Sequence, residues 1–461
     1  MADLSYIIFI SFAAISLYWY YRLCVSASWL RKNRSAGDVN RSGRIYIIIP
    51  VLDEVKRIGK TVSYFLDTFG GLSGLTMVLV STEREYDVID HKTKIFAETI
   101  DKNDPDRDRK LADFADSIDT VKAIAKISDS RIMRYHYARR NGKMAHQLNH
   151  AIRAIIKENP EEDAIFAVYN ADSRPHPETV GWVMGERARS GASIFQQYGN
   201  YCKNIDNFRG WAGYVLTAAA LWQTRWSLGF EIYNALKQLK YAGRKKSLFY
   251  PLNYCIGHGL FFTKEIYEEL GGFSEDTYNE DAIWGLKASF KGRLIMPVPY
   301  FDASDTPDTV KSLFYQKTGW FFGPFEAFGY YRKIKAEWSL VGPDKLRLLF
   351  LSAKLFSHAV FWIAGPSCFL LSLILAILSG QTALWLLFFA EIILFLSVPN
   401  IFVWLIMGQK RKKTDNLVIG FSLGMLVCYF MHGASAYRSV IKSIFYGVRG
   451  RIMEKGKTEM L

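Results

Sequence analysis

The feature that most constrains the fold is the placement of long apolar segments at the two ends of the chain. Residues 4–21 contain no charged side chain, and about 18 such residues are enough to cross a ~30 Å hydrocarbon layer. Three more apolar segments follow at 355–378, 383–407 and 417–437, whereas residues 24–346 are mixed in polarity. The sequence therefore predicts a polar domain between one N-terminal and about three C-terminal transmembrane helices.

The first apolar segment has a cleaved signal peptide as its alternative. That alternative is disfavoured because the chain starts MADLSY, with an acid in place of a basic region, and no small-residue cleavage site follows. Basic residues crowd the end of this segment and recur at 409–413, while the link at 379–382 is uncharged. The positive-inside rule then predicts a multi-pass protein of the inner membrane with its polar domain in the cytoplasm.

The tail at 438–461 is also basic, which disagrees with four complete crossings. The last apolar segment is therefore alternatively re-entrant, or the tail is an interfacial helix. The domain organisation predicted from these patterns is 1–24 transmembrane helix, 25–43 basic linker, 44–325 cytosolic domain, 326–354 interfacial segment, 355–437 three transmembrane helices and 438–461 basic tail.

Composition limits the possible functions. Half of the residues are hydrophobic and 22% are charged, with a net charge of +14, which excludes a disordered chain or a small disulfide scaffold. The basic excess would suit nucleic acid, an anionic membrane or a phosphate-rich ligand, but its concentration at membrane flanks argues against nucleic acid. The five cysteines, at 24, 202, 255, 368 and 428, show no metal-ligand spacing.

The polar domain alternates short apolar strands with helices. Strands are predicted at 45–51, 76–80, 132–137 and 164–169, and helices at 56–69, within 84–130 and at 144–157. This order predicts an α/β fold with a doubly wound, mostly parallel sheet. Ligands of such sheets bind beyond the carboxyl ends of the strands, so residues at those ends are the candidates for function.

Acids follow the first and the fourth predicted strands. Asp172 and Asn170 offer hard oxygen ligands that suit Mg²⁺ or Mn²⁺, although a turn in which both bond their own backbone is the alternative. Asp53 and Glu54 could accept hydrogen bonds from a ribose hydroxyl or a base N–H. Helix capping is the alternative for these two acids.

Three cations begin the helix predicted at 144–157: Arg139, Arg140 and Lys143. Cations at a helix N-terminus oppose the helix dipole, so an anion such as a diphosphate would offset them; a solvated basic loop is the alternative. His146 and His150 are four residues apart, yet no third metal ligand accompanies them, which favours surface or core histidines.

A second segment combines glycines with acids. Gly257 and Gly259 flank His258 and permit close backbone approach to a ligand. Downstream lie four acids within seven residues, before a helix predicted to begin near Ala282: Glu275, Asp276, Glu280 and Asp281. Acids there are expected as caps, but an acid directed into a crevice could act as a general base.

The order of these motifs is more specific than any one of them. The succession IIIPVLDE, NGK, YNADSRP, GGFSEDTYNEDAIWGLK and YQKTGW resembles the membrane-bound family-2 glycosyltransferases, which include cellulose, hyaluronan and chitin-oligosaccharide synthases. The resemblance covers about residues 44–325. It implies a GT-A-like fold, a nucleotide-sugar donor (most often a UDP-sugar), a divalent cation, and an inverting transfer of a hexose or N-acetylhexosamine.

The resemblance also implies roles for individual residues. It assigns Asp281 beside Glu280 as the catalytic base, and Asp172 as the metal ligand with Asn170. It assigns donor binding to Pro50, Asp53, Glu54, Glu83, Arg140, Lys143, Asn170 and Asp172. It assigns acceptor contacts or diphosphate gating to Gly257, His258, Gln316, Lys317 and Trp320.

Three departures from the family pattern affect the donor more than the reaction. The second strand ends in VSTERE, so Ser81, Thr82 or Glu83 would replace the usual acid. Asn170 removes one acid of the DxD pattern, and Gly319 stands where the family has an arginine. The predicted acceptor is lipid-linked or a growing polysaccharide; the alternatives are a processive synthase coupled to export and a non-catalytic membrane partner.

Two further features stand outside these motifs. Residues 205–246 are rich in aromatic side chains and predict interfacial helices, with core packing as the alternative. Glu391 is an ionisable residue at membrane depth, which predicts either a polar path or a contact with a neighbouring helix.

Overall fold

The computed structural model describes residues 2–34, 43–160, 163–245, 247–407 and 417–448. The chain divides into two compact units. The helical unit comprises Met1–Ser35, Tyr198–Tyr254 and Gly285–Leu461, and the α/β unit comprises Ala36–Gln197 and Cys255–Trp284. Most of the predicted basic linker (residues 35–42), the basic loop at 409–413 and the part of the basic tail from 449 onward lie outside the described residues.

The strands of the described residues are β1 Arg44–Pro50, β2 Leu75–Thr82, β3 Ile132–Tyr137, β4 Ala164–Val168, β5 Ile194–Gln196, β6 Gly199–Asn200, β7 Leu260–Thr263, β8 Met296–Pro297 and β9 Asp302–Ala303. The four strands predicted for the parallel part of the sheet match β1 to β4 within one or two residues at each end.

The α-helices of the described residues are α1 Ala2–Asn33, α2 Val55–Phe69, α3 Arg84–Ala97, α4 Arg107–Ser117, α5 Thr120–Ala125, α6 Met144–Glu158, α7 Glu178–Ser190, α8 Gly210–Trp226, α9 Tyr233–Lys240, α10 Lys264–Glu269, α11 Glu280–Phe290, α12 Val310–Phe325, α13 Ala327–Glu337, α14 Gly342–Ser379, α15 Thr382–Glu391, α16 Val398–Ile406 and α17 Leu417–Val448. Short 3₁₀ turns occupy Ile205–Asn207 and Ala242–Arg244, and π-helical turns occupy Ser227–Ile232 and Ile392–Ser397.

The sheet of the α/β unit confirms the predicted fold class. Its strand order is β3-β2-β1-β4-β7-β5. Strands β1 to β4 are parallel to one another, and β7 runs antiparallel to both β4 and β5. The carboxyl ends of the four parallel strands therefore meet at one edge of the sheet, where the sequence places its candidate residues.

The core of this unit follows from the apolar runs of the sequence. Residues 45–49 of β1 are each at most 1% exposed, as expected for a parallel strand covered on both faces. Helix α2 buries its apolar face through Ile58, Val62, Phe65 and Phe69. A residue spacing of three or four places these side chains on one side of the helix.

Three helices of the described residues are long and apolar enough to cross a membrane: Ala2–Asn33, Gly342–Ser379 and Thr382–Ile406, the last comprising α15, the π-helical turn and α16. The predicted membrane character is confirmed at this level, with one N-terminal and two C-terminal candidates. The crossing predicted at 417–437 falls within α17, which is not one of these three, and stays a prediction.

The aromatic insertion predicted at 205–246 is helical, but its longest helix is largely buried. In α8, residues 215–221 are at most 6% exposed within the helical unit. This burial favours core packing over an interfacial position for α8. The sequence signal was ambiguous because an apolar aromatic helix suits both environments.

Candidate functional site

At the end of β1, the strand-end acid is already engaged. Pro50 is the last residue of the strand, and Asp53 follows with a left-handed φ of 57°. Lys92 of α3 donates to both carboxylate oxygens of Asp53 at 2.8 Å, and the Asp53 side chain is only 8% exposed. Asp53, the acid predicted to bind the donor, is therefore nearly buried and paired with Lys92.

The loop after β1 is held by a second acid. The buried carboxylate of Glu85 accepts the backbone N–H of Asp53 at 2.7 Å and that of Thr120 at 3.2 Å. The Thr120 hydroxyl accepts the backbone N–H of Glu54 at 2.9 Å. Glu54 occupies the N-cap position of α2 without a side-chain capping hydrogen bond, and its carboxylate lies 3.9 Å from Arg57, so only its position agrees with the capping alternative.

At the end of β2, an acid stays at the surface. Glu83 precedes α3, and its Oε2 lies 3.0 Å from Nε2 of His136 on β3. The other ring nitrogen, Nδ1, lies 2.9 Å from Oγ of Ser81. Both the Glu83 and His136 side chains are 35% exposed, whereas Ser81 is 3% exposed. Sequence reasoning named Glu83 but not His136.

The NGK segment lies against the ends of β2 and β3. A Cβ at Gly142 would lie 2.6 Å from the Tyr137 ring and 2.9 Å from the Thr82 hydroxyl, so only glycine fits there. Lys143 is the N-cap residue of α6. Buried Gln147, one turn on, donates to the carbonyls of Val51 and Val80 at 3.0 and 2.6 Å, which ties α6 to two strand ends.

The other cations of this segment are exposed. Arg140 forms an ion pair with Asp87 at 3.0 Å, with 60% and 48% of the two side chains exposed. Arg139 is exposed. The structure thus places Lys143 at the helix start and pairs Arg140 with an acid of α3, a contact that spacing alone does not indicate.

The two histidines of α6 differ. His146 accepts the backbone N–H of Lys143 at 3.2 Å and lies 3.6 Å from Glu275. Burial lowers the pKa of His146, Glu275 opposes that effect, and Lys143 and Arg139 lower the pKa further. His150 is exposed and contacts the Tyr137 ring. Within the described residues, neither belongs to a group of three or more possible metal ligands, and their interpretation as surface or core histidines stays a prediction.

At the end of β4, the chain forms a turn. Asn170 and Asp172 are both partly exposed. The backbone N–H of Ser173 donates to the Asn170 carbonyl at 3.2 Å, and the N–H of Asn170 donates to the Ser173 hydroxyl at 3.3 Å. Residues 170–173 therefore form a turn closed by Ser173, and the partly exposed Asn170 and Asp172 follow directly after the strand.

A divalent cation fits this turn only with further ligands. No group of three or more His, Cys, Asp and Glu residues that could hold a metal occurs in the described ranges. Asp172 and Asn170 supply one carboxylate and one amide oxygen. Mg²⁺ commonly takes one or two carboxylates and completes its shell with substrate phosphates and water, so the donor set suits an ion that arrives with a diphosphate.

Two glutamines, Gln196 and Gln197, contact the loop formed by Gly257, His258 and Gly259. Gln196 donates to the His258 carbonyl at 2.8 Å and accepts the Ile256 N–H at 2.9 Å. Gly259 has a left-handed φ of 64°, and a Cβ there would lie 2.6 Å from the Gln197 carbonyl oxygen. His258 is 6% exposed. The loop is therefore a rigid part of the sheet edge.

The catalytic candidate Asp281 faces this loop. Helix α11 begins at Glu280, two residues before the predicted start near Ala282, so both acids lie in its first turn. Asp281 Oδ1 accepts the N–H of Ala282 at 2.8 Å, and a Cβ at Gly257 would lie 3.3 Å from Asp281 Oδ2 and 3.7 Å from Met144. Gly257 thus separates the carboxylate from the start of α6.

Burial distinguishes the two acids of α11. Glu280 is 4% exposed, whereas Asp281 is partly exposed. Of the two acids, Asp281 is therefore the one that remains accessible from solvent.

Asn149 was missed by sequence reasoning. Its amide accepts the Tyr267 hydroxyl at 2.9 Å and the Phe273 N–H at 3.0 Å, and donates to the Phe273 carbonyl and to Glu275, each at 2.8 Å. Gly272 packs against it with a φ of 72°. This buried amide fixes the GGF turn that leads to α11. No local sequence pattern predicts the contact of Asn149 with Phe273, which is 124 residues away in the chain.

The YQKTGW segment, residues 315–320, lies on α12 of the helical unit. Gln316 and Trp320 are partly exposed. Lys317 is 1% exposed, donates to Gln223 at 2.9 Å and lies 5.0 Å from the centre of the Trp320 ring. Burial lowers the pKa of Lys317 to about 8. Lys317 is therefore a buried amine in this arrangement.

Glu391, at membrane depth, is buried in the helical unit. Its Oε1 accepts the hydroxyl of Ser372 on α14 at 3.1 Å. This contact joins α14 to α15, which agrees with the alternative of a polar contact between neighbouring helices.

Residues 240–407 match the family model described as glycosyl transferase family group 2. The match confirms the predicted family and enzyme class over this segment. No curated protein sequence matches the chain at a significant level.

Three solved structures illustrate what the fold of the chain is similar to. A Pyrobaculum calidifontis mannosyltransferase, in complex with GDP-Man and Mn²⁺, aligns with 95% of this chain and 99% of its own at 14% identity and a TM-score of 0.44. S. aureus TarS 1–349 with UDP-GlcNAc aligns over 86% and 92% at 10% identity and 0.35. Glucosyl-3-phosphoglycerate synthase from Mycobacterium tuberculosis aligns over 60% and 78% at 12% identity and 0.30. TM-scores below 0.5 leave substrate and site open.

Proposed function

We propose that the protein is an inverting glycosyltransferase that moves a sugar from a nucleoside-diphosphate donor to a lipid-linked or growing polysaccharide acceptor. The observation that carries the proposal is the placement of Asp281 in the first turn of α11, with its carboxylate against Gly257 and near the start of α6. The carboxylate of Asp281 and the start of α6, which carries Lys143, therefore lie on either side of Gly257.

In this proposal Asp281 is the general base. Its Oδ2 would take the proton from the acceptor hydroxyl as that oxygen attacks the anomeric carbon, and the bond from that carbon to the diphosphate oxygen would break. General-base assistance is usually worth ~10² to 10⁴-fold in rate. Buried Glu280 would hold the first turn of α11 and with it the direction of Asp281.

The leaving diphosphate would be met at the start of α6. Lys143 supplies a positive charge there, and free N–H groups of a helix N-terminus bind anions. Asp172 with the Asn170 amide oxygen would hold Mg²⁺ or Mn²⁺, which supplies charge neutralisation to the diphosphate when bound. Arg140 would join this group by exchanging its contact with Asp87 for a phosphate oxygen.

The acceptor side and the location are also proposals. Gly257 and His258 form the rigid loop beside the base, which suits a position close to the attacking hydroxyl. Gln316, Lys317 and Trp320 keep the acceptor or gating role that the family resemblance implies. The three candidate spans support a multi-pass inner-membrane protein, and the basic flanks support a cytoplasmic α/β unit.

Transfer and hydrolysis of radiolabelled nucleotide-sugars test this proposal. The purified full chain in detergent is assayed with Mn²⁺ and a panel of UDP-, GDP- and dTDP-sugars. Asp281→Asn should lower turnover by about 10² to 10⁴-fold while nucleotide binding is retained. Asp276→Asn, an exposed acid of the same segment, is the matched control. Near wild-type turnover in Asp281→Asn would refute the assignment.

A calorimetric titration tests the cation separately. Asp172→Ala should weaken nucleotide binding in the presence of Mn²⁺ and leave binding in EDTA unchanged. Equal affinities of wild type and variant in Mn²⁺ would remove Asp172 from the metal site. A wild-type protein that binds nucleotide but transfers no sugar would favour the non-catalytic alternative.

A further inference from the structure

Asp53 follows β1 and Glu83 follows β2, and both acids are candidates for a contact with the donor nucleotide. Asp53 is the weaker choice because both of its oxygens accept from Lys92 and its side chain is 8% exposed. Glu83 keeps 35% of its side chain exposed at the carboxyl edge of the sheet. The available acid at this edge is therefore Glu83.

Glu83 is held by a chain of side-chain contacts across two strands. Ser81 and His136 are register partners in the parallel pair β2–β3. Ser81 Oγ lies 2.9 Å from His136 Nδ1, and His136 Nε2 lies 3.0 Å from Glu83 Oε2. Because an ionised carboxylate only accepts hydrogen bonds, the ring N–H at Nε2 is the donor to Glu83. The Ser81 hydroxyl contacts Nδ1 and also lies 3.4 Å from the Tyr135 carbonyl oxygen.

The anchor of this chain is rigid. Ser81 is 3% exposed within a fully buried strand. The backbone of Glu83 is fixed as well, because its N–H donates to the Tyr137 carbonyl at 3.0 Å. A surface carboxylate ordinarily samples many rotamers, and holding it in one lowers the entropy lost when a ligand binds.

We propose that Ser81 and His136 are positioning residues that hold Glu83 as the acceptor for a ribose hydroxyl of the donor nucleotide. The inference rests on the proposed function and goes beyond it by naming the ligand group and the residues behind the acid. One carboxylate oxygen is used by His136, and a carboxylate has further acceptor sites for a hydroxyl. The site then selects ribonucleotides over deoxynucleotides.

Nucleotide binding with and without each ribose hydroxyl tests this inference. Affinities of UDP and GDP, and of their 2′-deoxy and 3′-deoxy forms, are measured on the full chain in detergent. For wild type, loss of the contacted hydroxyl should weaken binding by about 10- to 100-fold, as for hydrogen bonds to charged groups. In Glu83→Ala the same loss should change affinity by less than about 3-fold.

His136 variants separate positioning from folding. His136→Leu removes the donor to Glu83 and should shrink the hydroxyl penalty, while His136→Gln retains an N–H near the position of Nε2 and should restore part of it. Ser81→Ala should give an intermediate penalty. His150→Gln, an exposed histidine of α6, is the matched control and should leave the penalty at the wild-type value.

The outcomes distinguish this inference from the proposed function. If UDP and GDP bind but neither hydroxyl is coupled to Glu83 or His136, the inference is wrong and the proposed function stands. If neither nucleotide binds the wild-type chain, both fail. Equal hydroxyl penalties in His136→Leu and wild type would remove His136 from the site even where Glu83 is coupled.

Discussion

The two units compensate their charges by different means. In the α/β unit, two solvent-accessible cations bond carboxylates: Lys92 bonds Asp53 at 2.8 Å and Arg140 bonds Asp87 at 3.0 Å. In the helical unit, three buried cations are held mainly by aromatic rings and neutral oxygens. These are Arg22, Arg225 and Lys317, which are 7%, 1% and 1% exposed. Lys287, bonded to Glu337, is an exception there.

Arg225 is the clearest of the buried cations. Its guanidinium carbon lies 4.7 to 5.1 Å from the ring centres of Trp19, Trp222 and Phe395, and Nη1 donates to the Phe395 carbonyl at 2.7 Å. Its Nε and Nη2 have no hydrogen-bond partner among the described residues. Rings stabilise a desolvated cation without introducing a second charge to bury.

The two arrangements differ in whether a ligand can reach the charge. A partly exposed ion pair is screened by water and can exchange its partner for a ligand at little cost. A cation sealed among rings is out of reach of solvent and contributes through packing. Charge removal at an exposed pair such as Arg140–Asp87 should therefore affect ligand binding, whereas charge removal among the rings of the helical unit should affect stability.

The largest expected effect is that of Arg225→Ala. Removing a large buried side chain leaves a cavity and loses three ring contacts, so the protein should lose about 3 kcal/mol of stability. The thermal unfolding midpoint of the detergent-solubilised chain measures this loss. Arg225→Met, which keeps most of the volume, should lose less than about 1.5 kcal/mol. Equal midpoints for Arg225→Ala and wild type would contradict the claim that buried cations of the helical unit contribute to stability.

Lys317 gives the next largest effect, through pH. Its pKa is lowered from 10.5 to about 8, chiefly by burial. The unfolded chain then holds a proton that the folded chain lacks between about pH 8 and 10.5, so stability rises with pH in this window. Lys317→Met should raise the unfolding midpoint at pH 7, and its advantage over wild type should shrink toward pH 10. A constant difference across this range would contradict the buried-amine assignment.

Lys92 should matter less. Its ion pair with Asp53 is partly exposed, since 31% of the lysine side chain is accessible. Lys92→Gln should cost about 1 kcal/mol, near the upper end for such pairs, because Asp53 is itself nearly buried. Lys94→Gln, at an exposed position of the same helix, is the control and should cost less. Unfolding midpoints in detergent compare the two, and a loss as large as that of Arg225→Ala would erase the contrast between the units.

The sequence predicts the strands, their parallel order and the motifs at their carboxyl ends because these depend on local apolar runs and turns. It does not predict which strand-end acid is sealed, because Lys92 reaches Asp53 across 39 residues. The Asn149 clamp and the contact of His136 with Glu83 are likewise tertiary. Arg22 illustrates the same limit, since a residue expected at a basic membrane flank packs against Tyr18, Trp19, Phe230 and Tyr233.

Of the four cations, Arg140 should show the smallest effect on stability. Its contact with Asp87 joins two largely exposed side chains, and such pairs contribute less than about 0.5 kcal/mol when salt screens them. Arg140→Gln should leave the unfolding midpoint unchanged and weaken nucleoside-diphosphate binding, with the larger difference at low ionic strength. Asp87→Asn should leave the midpoint unchanged too but should not weaken binding, because it releases Arg140 toward a phosphate. Loss of stability in Arg140→Gln without loss of binding would make this cation structural, as in the helical unit.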